Sequence, residues 1–204
     1  KSIKWCESNS INIDDLSIKK NIKITKVINN FNNKAEYLNI INKIRLSNSN
    51  FGGAGHLDLI YSICESYKFK KVIETGVAYG WSSSVILNSI FKRNGHLVSV
   101  DMPMIKQSNY ELIGIAVSKN FLNNWSLIRK PDIFGLNLAL KKIKYNYDLV
   151  HYDSDKSYYG RKFAFPKLYK YLNINGIFIS DDIQDNEFFR EFVEKLQLEY
   201  YIIK

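Results

Sequence analysis

Five clusters in this 204-residue sequence carry side chains whose types and spacing could do chemistry: residues 74–80 (ETGVAYG), Asp101, Asp132, residues 153–156 (DSDK) and the pair Asp181 and Asp182. In the first, Gly76 and Gly80 allow a sharp turn and close approach of the backbone to a ligand. Free amides at the start of a following helix suit an anionic group. The spacing is E-x-G-x-x-x-G. A dinucleotide fingerprint needs glycine where Ala78 stands, and a phosphate loop needs lysine where Trp81 stands. Two glycines in a plain strand-to-helix turn would give the same string. Asp101 follows GHLVSV, where a carboxylate can accept both hydroxyls of a ribose; a helix cap or solvated turn would also use it. Asp153, Asp155, Asp181 and Asp182 would repel one another if brought together without a cation. A set of hard oxygen ligands, with no Cys or His expected nearby, suits Mg²⁺, or Mn²⁺ or Ca²⁺. Any one of these aspartates alone reads better as a helix cap.

The elements that must position these groups alternate. Short apolar runs at 71–75, 96–101, 126–129, 147–153, 176–181 and 198–203 read as strands. Helical spacing predicts helices over 81–91, 111–122, 134–143, 157–172 (with Pro166 as a kink or break) and 186–196. Upstream, helices are expected over 35–46 and 56–67, separated by a glycine-rich loop at 47–55. Residues 1–33 lack Gly and Pro and show weak periodicity, so they read as an extension or partner-facing segment. The alternation predicts an α/β fold with a mostly parallel sheet and helices on both faces. Ligands of such sheets bind beyond the carboxyl ends of the strands. The acidic clusters stand at those ends.

The run ETGVAYGWSS resembles the cofactor loop of class I S-adenosylmethionine-dependent methyltransferases. More narrowly, it is similar to the metal-dependent catechol-type and the sugar and macrolide O-methyltransferases, whose loop reads E-x-G-x-x-x-G-x-S. The resemblance implies a three-layer Rossmann-like methyltransferase fold. It also implies that glycine backbones pack on the methionine part of the cofactor and that the Ser82 hydroxyl holds its carboxylate. Asp132, in RKPD, falls where the family often contacts the adenine amino group. The implied cofactor residues are Glu74, Gly76, Tyr79, Gly80, Ser82, Asp101, Asp132 and Asp153. Catechol-type members carry D-x-x-K after the fourth strand and an acidic pair after the fifth. Asp153 with Lys156, and Asp181 with Asp182, match. The sugar-modifying members have D-G-D-H-S-Y, and this chain has DSDKSY, which mixes the two. The implied metal ligands are Asp153, Asp181 and Asp182, with Asp155 nearby. The metal would bind two vicinal acceptor oxygens, and Lys156 would be the catalytic base if its pKa were depressed. A solvated surface lysine is the alternative for Lys156, and the catalytic role is the expectation.

The resemblance spans residues 50–183. The family sheet ordinarily ends with an antiparallel seventh strand between the fifth and sixth, whereas only one candidate, 198–203, follows here, so the C-terminal strand pair is expected to be incomplete. The expected organisation is residues 1–46 as an N-terminal extension and helix and residues 47–204 as the cofactor-binding domain.

Composition sets the outer limits. Hydrophobic residues make up 46% and charged residues 24%, which excludes collagen, coiled coil and wholesale disorder. No apolar stretch is long enough for a membrane span. Two cysteines, Cys6 and Cys64, neither build a disulfide framework nor show zinc spacing. A reduced, cytoplasmic protein is expected. The net charge of +9 is spread through Lys- and Asn-rich sequence without a long like-charge run, so nucleic acid is not the expected partner. His151 lies inside a strand and reads as a core or sheet-face residue, and Cys6 and Cys64 read as inert. The expected partner is a small hydroxyl acceptor, sugar or catechol-like, and a homodimer is compatible with the reading. An RNA or DNA methyltransferase and a non-catalytic cofactor-binding protein are the alternatives on this fold.

Overall fold

The computed structural model describes residues 1–27, 34–47, 49–53, 55–102 and 110–204. Pro103, parts of the glycine-rich loop and the end of the N-terminal segment lie outside these residues.

The chain runs α1 (Ser2–Asn9), β1 (Ser10–Ile11), α2 (Ile13–Lys20), α3 (Lys34–Leu46), α4 (Leu57–Ser66), β2 (Lys71–Thr75), α5 (Trp81–Ile90), β3 (His96–Asp101) and β4 (Trp125–Arg129). It continues with α6 (Asp132–Lys142), β5 (Tyr147–Tyr152), α7 (Tyr158–Tyr169), β6 (Leu172–Ser180), α8 (Phe188–Lys195) and β7 (Ile202–Ile203). The central sheet has the order β4-β3-β2-β5-β6, and every pairing is parallel. Its inner strands are apolar because both faces are covered. Val72, Leu97 and Leu149 pack on one face against α4 and α5. Ile73, Val98, Val100, Val150 and Tyr152 pack on the other against α6, α7 and α8. Strand order reverses at β2, so the crevice for a ligand opens where β2 diverges from its neighbours.

Several expectations need correction. Residues 111–122 do not form an α-helix; they hold two short 3₁₀ turns at Tyr110–Leu112 and Lys119–Asn124. Gly114 sits between them at φ +77°, and its bare Cα packs on the Trp125 indole, which no side chain could tolerate. α7 runs through Pro166 instead of breaking there. β6 begins at Leu172, four residues early, with a register irregularity against β5. The expected sixth strand shrinks to Ile202–Ile203 and does not join the central sheet; it pairs in parallel with β1. The N-terminal segment is thereby tied to the C-terminal one, and Leu16, Ile22 and Val27 enter the core. Among the described residues no helix is long and apolar enough to cross a membrane.

Candidate active site

The loop after β2 turns on two glycines. Gly76, at φ +77°, lies so close to the Asp153 carbonyl that a Cβ could not fit between them. Gly80, at φ +84°, abuts Gly114, where a Cβ would stand 2.8 Å from its Cα. Asp101 closes the loop from β3: its Oδ2 accepts from the amides of Val77 (2.7 Å) and Ala78 (2.9 Å). Burial raises the Asp101 carboxyl pKa, and the two amides offset only part of that. Tyr79 is buried against residues 49–53; its hydroxyl donates to the Ser49 carbonyl at 2.7 Å and its ring stacks on Phe51.

Glu74 is fully buried in β2. Its carboxylate accepts from the hydroxyls of Ser82 (2.7 Å), Ser83 and Ser99 (2.8 Å). The Ser82 hydroxyl proton is thus committed to Glu74. Ser99 in turn accepts from the Trp125 indole at 2.9 Å. Asp132, the first residue of α6, accepts from the Ser154 hydroxyl at 2.5 Å, and burial raises its pKa. Asp155 accepts from the Ser157 amide at 2.9 Å and so acts as a turn cap at the start of α7.

The acids at the ends of β5 and β6 do converge. Asp153 and Asp181 each come within 4.8 Å of a His151 ring nitrogen and of each other, counting one ligand atom per residue. Lys156 donates to Asp153 and lies 3.0 Å from Asp182 Oδ2, so its ammonium stands between those two carboxylates. Burial opposes the charge on Lys156, but the bonds to Asp153 and Asp182 outweigh it and raise its pKa. The same bond from Lys156 lowers the pKa of Asp182. Lys156 is therefore held as a cation here, not as the neutral amine a base requires. Asp182 faces Lys156, while Asp181 faces His151 at 3.9 Å. A divalent cation fits this donor set: two carboxylates and an imidazole meet where negative charge is in excess, and both ring nitrogens of His151 lack a hydrogen-bond partner.

Sequence reasoning missed three contributors. Arg161 of α7 is fully buried and donates to the carbonyls of Asp181 (3.0 Å) and Asp182 (2.7 Å), which fixes the turn carrying both acids. No local pattern announces it. Ser99 could have been found: it stands opposite Glu74 in the β2–β3 register, and residues so paired share a sheet face. His151 pairs with Glu74 in the β2–β5 register by the same logic.

The family model described as a methyltransferase domain matches residues 73–183, more than half of the chain. The chain belongs to this methyltransferase family. Solved structures share the fold. An O-methyltransferase from Bacillus cereus, in complex with SAH, aligns over 83% of this chain and 81% of its own at 15% identity and a TM-score of 0.58. The O-methyltransferase TomG from Streptomyces achromogenes, involved in tomaymycin synthesis and in complex with SAM, aligns over 93% and 86% at 13% identity and a TM-score of 0.57. Cofactor-bound Rv0187 from MTB aligns over 82% and 78% at 12% identity and a TM-score of 0.61. No curated protein sequence matches the chain. The matched segment of this methyltransferase contains all the strand ends described above, from Glu74 to Asp182.

Proposed function

We propose that this methyltransferase moves the methyl group of S-adenosylmethionine to a hydroxyl oxygen of a small diol, catechol or sugar, assisted by a divalent cation. The observation that carries the reading is the contact of Gly76 with the Asp153 carbonyl. It puts the cofactor-type loop and the acid cluster in one crevice, so a methyl donor on the first would face an oxygen held at the second. O-methyl transfer also fits what two of the structural relatives are called and the SAH and SAM named with them.

In this reading the loop 76–80 cradles the methionine part, Asp101 grips the ribose and Asp132 borders the adenine. Glu74 and Tyr79 keep the loop in shape. Asp153 and Asp181 hold the cation, and Asp182 completes the expected acidic set; Mg²⁺ is the expected ion, with Mn²⁺ or Ca²⁺ compatible. When bound, the cation supplies Lewis acidity that lowers the pKa of an acceptor hydroxyl. Lys156 touches the same place and is assigned the proton of that hydroxyl, which requires release from its pairs with Asp153 and Asp182. We assign cofactor binding to residues 47–204. Residues 1–46 are assigned to shaping the acceptor side, supported by Tyr37 of α3 packing on Trp81 at 5.4 Å. The buried free thiols of Cys6 and Cys64 support a cytoplasmic setting, and a homodimer is compatible with it.

Methyl-labelled S-adenosylmethionine, incubated with catechol and sugar diols in the presence of Mg²⁺ or Mn²⁺, tests this. Label should appear on an acceptor oxygen and vanish on chelation. Label appearing in RNA in place of the diols, or transfer that chelation leaves untouched, would overturn the reading in substrate or in metal respectively.

A further inference from the structure

His151 is the buried titratable group that the acid cluster leaves unexplained. It is 1% exposed; Nε2 has no hydrogen-bond partner, and Nδ1 faces the Glu74 carboxylate at 3.4 Å without a well-formed bond. Leaving a buried imidazole in that state costs free energy, and a native fold rarely does so without a ligand. Alternation along the strands puts Glu74, His151 and Asp153 on one face, with Asp181 two residues beyond Ile179, the β6 partner of His151. The ring sits between two carboxylates: Nδ1 is 3.4 Å from Glu74 Oε1, and Nε2 is 3.9 Å from Asp181 Oδ1.

Those two distances have different meanings. Metal-bound histidines hold their second ring nitrogen against a carboxylate, which sets the tautomer and orientation. Glu74 is placed for that, since the three serine hydroxyls pin its carboxylate. On the other side, two ligand atoms each about 2.1 Å from one ion stand roughly 3–4 Å apart, depending on the angle. The Nε2 to Asp181 separation falls in that range. Lys156 already occupies the space between Asp153 and Asp182. That ammonium contacts Asp153 as well, but among the described residues it is His151, Asp153 and Asp181 whose ligand atoms lie within 4.8 Å of one another, so a cation seated there would displace the ammonium from Asp153.

We infer that His151 is a metal ligand, so that the cation site is His151, Asp153 and Asp181 oriented by Glu74, with Asp182 serving Lys156 instead. This rests on the metal-assisted part of the proposed function and changes its chemistry. One imidazole and two carboxylates favour a first-row transition ion over Mg²⁺, which takes oxygen ligands and keeps its water. The sequence reading, which counted no histidine among the ligands, pointed to Mg²⁺.

Direct binding of Mn²⁺ and of Mg²⁺ to the intact chain, together with pulsed electron paramagnetic resonance of the bound Mn²⁺, tests the inference without any turnover. The expected result is one Mn²⁺ per chain, bound at least tenfold more tightly than Mg²⁺ and showing a nitrogen coupling from a coordinated ring. His151→Phe should lose the coupling and at least tenfold in Mn²⁺ affinity, with S-adenosylhomocysteine binding retained. If His151→Phe does not fold, His151→Asn is the second variant, and the wild-type nitrogen coupling stands on its own. Mn²⁺ bound without nitrogen coupling would overturn the inference and leave metal-assisted transfer standing. Equal affinity in wild type and variant would do the same. A wild type that binds S-adenosylhomocysteine but no Mn²⁺ would overturn both the inference and the metal assistance.

Discussion

Lys156 donates to Asp153 and lies 3.0 Å from Asp182 Oδ2, and the side chains around it hold it charged. Its removal should separate two effects. Lys156→Met is expected to reduce turnover by about 10²–10⁴-fold, the span typical of a lost acid–base group, with S-adenosylhomocysteine affinity unchanged. Steady-state kinetics and calorimetry on the same sample check this, and a wild-type rate would make the lysine a bystander. The same substitution should raise the pKa of Asp182, because the bond from Lys156 is what lowers it. A carbon-13 titration of the Asp182 carboxyl reads that shift; no movement would mean that the pair is not formed in solution. At this scale the D-x-x-K spacing was enough to bring Asp153 and Lys156 together, since both lie in the short loop between β5 and α7. It could not tell a free amine from a paired ammonium. That depends on Asp182, which arrives from another strand. Nor could it single out His151: within LVHYD an inward histidine looks like any core residue until β2 lays Glu74 beside it.

The β2–α5, β5–α7 and β6–α8 turns carry the site; the first depends on a backbone approach and the last on a buried arginine. Gly76→Val would drive a branched side chain into the Asp153 carbonyl at a positive φ. The strain alone costs roughly 1–3 kcal/mol, and relief of the clash must displace the β5 end as well. Loss of S-adenosylhomocysteine binding together with a lower melting temperature is expected; a variant that binds normally would contradict the packing. Arg161 supports the β6–α8 turn through the carbonyls of Asp181 and Asp182. Arg161→Met should cost about 1.5–3 kcal/mol in denaturant unfolding, the range for hydrogen bonds to a charged donor, and should weaken metal binding by loosening both acids. An unchanged unfolding midpoint would argue against that role. β2, β3 and β5 were legible because buried parallel strands must be short apolar runs. The 111–122 segment was not. Its leucine and isoleucine spacing fits a helix, but Gly114 at positive φ, packed on Trp125, breaks the run, and Trp125 belongs to the next strand.

Across the whole molecule, the first and last segments close on each other. β1 pairs with β7, and the Ser2 hydroxyl donates to the Asn186 carbonyl at 2.9 Å. Trp5 packs on Tyr200 at 5.5 Å and Phe189 at 6.3 Å, with Arg190 over its ring. Weak periodicity in residues 1–33 hid this, because α1 and α2 are eight residues each and owe their stability to these distant partners. Trp5→Ala should cost about 1.5–3 kcal/mol of burial and lower the melting temperature by several degrees for a chain of this size. The turn at 183–186 should also exchange its amides faster. Unchanged exchange there would detach the N-terminal segment from the site. The central claim remains that the ends of β2 and β3 form the S-adenosylmethionine site. Calorimetric titration of S-adenosylhomocysteine into the wild type and into Asp101→Ala tests it most directly. Saturable 1:1 binding by the wild type, lost in Asp101→Ala, is the predicted result; no heat with the wild type, or equal binding by both, would contradict it.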